Sequence, residues 1–160
     1  MKRIPSRRPQ HASKPESPAP KSLVLYVEDD AVNQQIARTR LSKKYEVLLA
    51  ANDRDACKLV IEHHANIVVI LMDIELQGSQ LNGVALTRLL RGKLPANERP
   101  LYTENVPSID VPILFVTAYG QRFSQSELLE AGGDNVIAKP IDFVQLQTAM
   151  TRTYLNRQRR

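Results

Sequence analysis

Residues 67–73 read Ile67-Val-Val-Ile-Leu-Met-Asp73. Six apolar residues in succession, four of them β-branched, stop at a carboxylate. A run without polar alternation describes a strand covered on both faces, the pattern of a parallel sheet sandwiched between helices. The acid at its end is then placed on the rim of that sheet.

The same pattern recurs on both sides of this stretch. Upstream, Leu23-Val-Leu-Tyr-Val27 is a short apolar strand that stops at Glu28-Asp29-Asp30. A helix over 31–44 follows, with Val32, Ile36, Ala37 and Leu41 at helical spacing and Asp30 as its N-cap. Tyr45–Ala50 reads as a second strand, and Asn52 opens a helix to His63 with Ala56, Leu59, Val60 and His63 on one face. Downstream, residues 83–91 form a helix with Leu86 and Leu90 inward, and Val111 to Val116 is a strand followed by Thr117-Ala118. Ser124-Gln-Ser-Glu127 is a capping box that starts another helix. Val136-Ile-Ala138 is a short strand followed by Lys139-Pro140. Asp142 caps a final helix carrying Phe143, Leu146, Met150 and Tyr154 on one face.

Five β-α alternations predict an α/β fold, a flavodoxin-like doubly wound five-stranded parallel sheet of order 2-1-3-4-5 with helices on both faces. Two connections are long: Asp73 to Gly83, and residues 92–111, which show no clear period. A loop of the second length in a compact domain is functional or disordered. Residues 1–22 carry five prolines and almost no apolar side chains, so they are expected to be a disordered tail. The folded domain is placed at 23–155, with 92–111 as an insertion and 156–160 as a basic tail.

The 160 residues carry a net charge of +5, which is unevenly spread. Residues 1–22 hold +5 and residues 151–160 hold +4, whereas 23–150 hold −4. The ends are read as solvated. No aromatic residues are interleaved with their arginines, so no base-stacking platform is indicated and a nucleic-acid partner is not expected. The single cysteine, Cys57, rules out a disulfide framework and favours a reducing compartment. No apolar run approaches the about 20 residues needed to cross a bilayer, so no membrane partner and a cytoplasmic location are expected. His63 and His64 read as a solvated helix end, and His11 falls in the N-terminal tail.

In an open parallel sheet ligands bind beyond the carboxyl edge, where strand order reverses. Here that point lies between the first and third strands, which end in Glu28, Asp29 and Asp73. The fourth and fifth strands bring Thr117 and Lys139 to the same edge. Crowded carboxylates repel unless a cation intervenes, and hard oxygen ligands with room for water suit Mg²⁺. Asp73 can then attack phosphorus as a carboxylate nucleophile. Thr117 offers a hydroxyl donor, Ala118 leaves space beside it, and Lys139 is a mobile positive charge for Asp73 or a phosphoryl oxygen.

With these residues in view, the chain resembles the response-regulator receiver family over 23–155. The likeness is carried by Leu23-Val-Leu-Tyr-Val-Glu-Asp-Asp30, Val69-Ile-Leu-Met-Asp73, Ile113-Leu-Phe-Val-Thr-Ala118 and Val136-Ile-Ala-Lys-Pro140. It implies that Asp73 is the phosphoacceptor. It also implies that Asp29, Asp73 and the backbone carbonyl of Glu75 bind Mg²⁺, with Glu28 acting through water. By the same likeness Thr117 and Lys139 contact the phosphoryl group, and the Lys139–Pro140 bond is cis. The implied donor is a phosphohistidine on a sensor histidine kinase or a histidine phosphotransfer protein.

Four features depart from the family pattern. Glu28 stands where Asp is common. The Asp73–Gly83 loop is longer by two residues, with Gln77 in place of a proline. Residues 92–111 are inserted, and Val136 occupies the place of a switching aromatic. Output is therefore expected to pass through Tyr119, the fourth helix and the insertion. The insertion carries Leu94, Leu101, Tyr102 and Val106 as docking surface. The expected function is that of a stand-alone receiver, a phosphoacceptor and not a turnover enzyme, which signals through an unknown downstream protein. The alternatives are a Mg²⁺-dependent α/β phosphatase or phosphotransferase, a nucleic-acid-binding module built on the basic tails, and a degenerate receiver that needs no phosphorylation.

Overall fold

A computed structural model describes residues 17–118 and 122–160. The first strand is β1 (Ser22–Val27), then come α1 (Ala31–Leu41), β2 (Tyr45–Ala50), α2 (Asp53–His63), β3 (Ile67–Asp73) and α3 (Gly83–Leu90). They are followed by β4 (Ile113–Thr117), α4 (Gln125–Glu130), β5 (Asn135–Ala138) and α5 (Phe143–Gln158). The five strands form one sheet in the order β2-β1-β3-β4-β5, every pair parallel. This is the flavodoxin-like order expected from the sequence.

Strand alternation divides the apolar residues between two cores. Leu25, Val27, Ile70, Met72, Ile113 and Phe115 face α2, α3 and α4, where Val60, Leu86, Leu90 and Leu128 meet them. Val24, Tyr26, Val69, Leu71, Leu114 and Val116 face the other way, onto Ala37 and Leu41 of α1 and Leu146 and Met150 of α5. The central strands are buried on both sides, which is why they read as unbroken apolar runs.

The helix starts follow the capping chemistry read from the sequence. Asp30, Asn52 and Asp142 each accept a backbone N–H of the first turn. Ser124 and Glu127 form the reciprocal capping box of α4. The Lys139–Pro140 peptide bond is cis.

Three expectations need correction. Strand β4 begins at Ile113, not Val111, because Pro112 has no N–H for the ladder; it contributes only its carbonyl, to the Ile70 N–H at 2.9 Å. On α1, Val32 is 66% and Ile36 46% exposed. The buried stripe runs through Ala37 and Leu41, and Ile36 lies about 100° round the helix from Ala37. On α5, Tyr154 is exposed. It borders a cleft with Ser22, Tyr45 and Val68 instead of filling it, whereas Leu146 and Met150 are fully covered by the sheet.

The connection from α3 to β4 has a fold of its own. Two 3-10 turns, Ala96–Glu98 and Leu101–Thr103, punctuate it. Leu94 and Thr103 are buried, and Tyr102, Val106, Ile109 and Val111 pack against the α2/α3 core. Leu101 instead projects into solvent at 93% exposure. Of the apolar residues expected to dock, it alone turns away from the domain. The lack of period arises because the segment packs through single residues on short turns.

Candidate functional site

Strands β1, β3, β4 and β5 end on one edge of the sheet, and their last residues converge there. Strand β1 stops at Val27, so Glu28 and Asp29 follow directly, while β3 ends on Asp73 itself. Glu28 is 1% and Asp73 6% exposed. One carboxylate oxygen from each of Glu28, Asp29 and Asp73 lies within 4.8 Å of the other two.

A cation already stands among them. The Lys139 ammonium donates to Glu28 Oε2 at 2.7 Å and to Asp73 Oδ2 at 3.0 Å. Its own N–H bonds the Thr117 carbonyl at 2.7 Å, which ties the end of β5 to the end of β4. Glu28 is further held by the Tyr26 hydroxyl at 3.0 Å and the Asp30 N–H at 3.0 Å, and its carbonyl accepts the Gln34 side-chain amide at 2.7 Å. Asp29 Oδ2 accepts the N–H of Gln77 at 3.0 Å, so the long loop after β3 closes back onto the pocket. The Thr117 hydroxyl donates to the Ala118 carbonyl at 2.9 Å, and the Glu75 side chain points to solvent.

These contacts separate the two buried acids electrostatically. Burial pushes Asp73 up to about 6, with the neighbouring charge of Glu28 adding to the rise and Lys139 opposing it. Burial acts on Glu28 in the same sense. There the bonds from Lys139, the Asp30 N–H and Tyr26 outweigh it, and its carboxyl lies below the usual range. Burial lowers Lys139, but its two carboxylate partners outweigh that and hold it above the usual lysine value. The two buried acids thus differ in direction, Asp73 held up by burial and Glu28 held down by its donors.

The donor set tests what could bind. It contains only carboxylate oxygens, with no His or Cys, and suits a hard divalent cation. All of Glu28, Asp29, Asp73, Thr117 and Lys139 come to one edge, as their strand positions require. Sequence reading missed Tyr26, which as an alternating strand residue looked like core, and the Gln77 N–H, a backbone group that no side-chain pattern reveals. It also passed over Asp53, which is 1% exposed beside this loop. Tyr119 lies outside the described residues.

A sheet of this order, with three acids, a threonine and a lysine on its carboxyl edge, is a doubly wound α/β domain with an acidic pocket at its strand-order switch. Residues 24–151 match the response regulator receiver domain, and the chain belongs to that family, whose role in two-component systems is to accept a phosphoryl group on an aspartate. A 135-residue stretch is 29% identical to hybrid signal transduction histidine kinase M of Dictyostelium discoideum and covers 84% of this chain but 5% of that protein. The two-component response regulator PhoP of Pseudomonas aeruginosa is 31% identical over 128 residues, covering 79% of this chain and 49% of the relative. The chain therefore spans at most about half the length of these relatives. Among solved structures, NtrX from Brucella abortus superposes with a TM-score of 0.70 at 19% identity, over 86% of this chain and 28% of that one; this likeness shows the fold. Among the described residues, no helix is long and apolar enough to cross a membrane.

Proposed function

We propose that Asp73 is the phosphoacceptor and that it takes its phosphoryl group from a phosphohistidine on a sensor histidine kinase or a histidine phosphotransfer protein. The carrying observation is the placement of Lys139 between Glu28 and Asp73, with Asp29 in reach of both acids. An Asp73 oxygen forms the new bond to phosphorus. The P–N bond to the donor imidazole breaks, and its electron pair returns to the ring nitrogen. Lys139 stays beside the oxygens that gain charge. Thr117 turns its hydroxyl from the Ala118 carbonyl to a phosphoryl oxygen, and the small Ala118 leaves room for that oxygen.

Glu28, Asp29, Asp73 and the backbone carbonyl of Glu75 are the groups that would hold Mg²⁺. When bound, the metal supplies charge neutralisation for the incoming phosphoryl group. The chain acts as an acceptor and not as a turnover enzyme. Its product is a changed surface read by a downstream protein in the cytoplasm.

Acetyl phosphate with Mg²⁺ tests this reading. The expected result is an acid-stable, hydroxylamine-labile adduct on Asp73 that Asp73→Ala abolishes without loss of folding. Equal labelling of the variant sinks the assignment. Sustained turnover of p-nitrophenyl phosphate would instead show a phosphatase.

A further inference from the structure

Asp53, the first residue of α2, sits at a junction of three elements. Its backbone N–H donates to Ser79 Oγ at 3.0 Å. One carboxylate oxygen accepts the Arg54 N–H at 2.9 Å, within its own helix. The other accepts the Gln80 N–H at 3.2 Å, the Leu81 N–H at 2.9 Å and the hydroxyl of Tyr102. Tyr102 comes from the 92–111 insertion, and the Arg54 guanidinium lies 4.6 Å over its ring. Ser79, Gln80 and Leu81 belong to the loop between β3 and α3. That loop begins at Asp73, and its Gln77 N–H holds Asp29 Oδ2 at 3.0 Å.

The loop is thus held at two points. At one end Gln77 meets the acidic pocket. At the other end Asp53 gathers the Gln80 and Leu81 amides, and Tyr102 fixes the carboxylate that gathers them. A buried carboxylate keeps its geometry only while its donors are present, and removing one leaves its charge less compensated. Beside the apolar packing of the insertion, the Tyr102 hydroxyl is thus a polar link from it to the loop that borders the acidic pocket.

We propose that Tyr102 is a positioning residue for phosphoryl acceptance. Through Asp53 it holds the β3–α3 loop, and so the Gln77 N–H and the Glu75 carbonyl, in the register that the acidic pocket needs. This rests on the reading of Asp73 as acceptor. Tyr102 touches neither the phosphoryl group nor the metal. It acts on the loop that carries their ligands, and it gives the insertion a role in the rate of signalling.

Tyr102→Phe keeps the ring and its stacking on Arg54 and removes only the hydroxyl. With acetyl phosphate, Asp73 labelling in this variant is expected to slow by about tenfold, the scale of a modest misplacement at a reacting centre. Its half-saturating Mg²⁺ is expected to rise by about tenfold, as when a group supporting a metal ligand is lost. Amide exchange of 77–81 should accelerate while that of β1 and β3 stays unchanged. Asp53→Asn should shift the same readouts in the same direction, and it decides the matter if Tyr102→Phe does not fold. Coupling is reciprocal, so in wild type beryllofluoride bound at Asp73 should alter exchange of 101–103. Equal rate, Mg²⁺ dependence and loop exchange in wild type and variant overturn the proposal, as does a beryllofluoride effect that stops short of 101–103. If wild type itself forms no adduct on Asp73, the acceptor reading falls first and takes this proposal with it.

Discussion

The ammonium of Lys139 stands 3.0 Å from Oδ2 of Asp73, joining residues 66 positions apart in the chain. The contact couples the end of β5 to the end of β3 across the whole of β4. It also stands in for part of the positive charge that the acidic pocket requires.

Replacing that charge separates its two roles. Lys139→Met leaves Glu28 and Asp73 facing each other without a cation, and removing one partner of a largely buried pair costs about 3 kcal/mol. The urea midpoint should fall in EDTA and recover in part in millimolar Mg²⁺, as expected if the ion binds the native cluster and not the unfolded chain. Labelling by acetyl phosphate should slow even where Mg²⁺ restores stability. A midpoint unchanged in EDTA would show that the contact carries no stability.

Gly83 sets the distance between α3 and the end of β3. A Cβ built on Gly83 would lie 1.9 Å from the Asp73 carbonyl oxygen and 2.9 Å from Ile74 Cα, both backbone atoms that cannot turn aside. The Gly83 N–H also bonds the Ile74 carbonyl at 2.8 Å. Gly83→Ala must push α3 away from Asp73. It should lower the melting temperature by roughly 7 °C, the consequence of an overpacking cost of about 2 kcal/mol in a domain of this size. Gly78 has no atom within 4 Å of its Cβ position, so Gly78→Ala meets only the strain of its φ of +77° and should cost less.

Asp134 governs the opposite edge. Its Oδ2 accepts the Arg91 guanidinium at 3.0 Å and the Ile113 N–H at 2.9 Å, and its Oδ1 accepts Arg157 Nε at 2.9 Å. Both guanidiniums are largely covered, and Asp134→Ala leaves them together without their shared anion. Arg157 would keep its bonds to Asp110, whereas Arg91 would keep only carbonyl partners. A loss of about 3–5 kcal/mol by denaturant unfolding is expected. Phosphoryl acceptance below the melting range should persist, because Asp134, Arg91, Arg157 and Asp110 make no hydrogen bond to Glu28, Asp29, Asp73, Thr117 or Lys139.

Cys57 supplies a pH dependence with a definite sign. Burial, aided by the charge of Asp53, pushes its thiol up to about 12. In the unfolded chain the thiol ionises near about 8.5. Between these values the folded protein holds a proton that the unfolded chain has released, so this residue's contribution falls as pH rises. Wild type should lose about 2 kcal/mol relative to Cys57→Ala between pH 7 and about 10. A gap between the two unfolding curves that stays constant across that range would contradict the assignment.

Much of the architecture was legible because it depends on local chemistry. Apolar runs such as Ile67–Met72 mark strands, and Asp30, Asn52, Ser124 and Asp142 mark helix starts through bonds made within one turn. Strand ends then placed Glu28, Asp29, Asp73, Thr117 and Lys139 on one rim. The misreadings occur where a neighbour decides. Ile36 and Tyr154 have the right period, but each borders an open cleft and is only partly covered by its neighbours.

Acting alone, the sequence determined the alternation of elements, the order of the sheet and the residues that end its strands. Periodicity and capping are properties of contiguous chain. Tertiary structure decided the shared cation: Lys139 reaches Glu28 across 111 residues and Asp73 across 66, whereas the Tyr26 hydroxyl and the Asp30 N–H that lower Glu28 further lie within two residues of it. It also decided that the 92–111 segment is seated on the domain. The bond from Tyr102 to Asp53 spans 49 residues, and no local pattern records a partner at that distance.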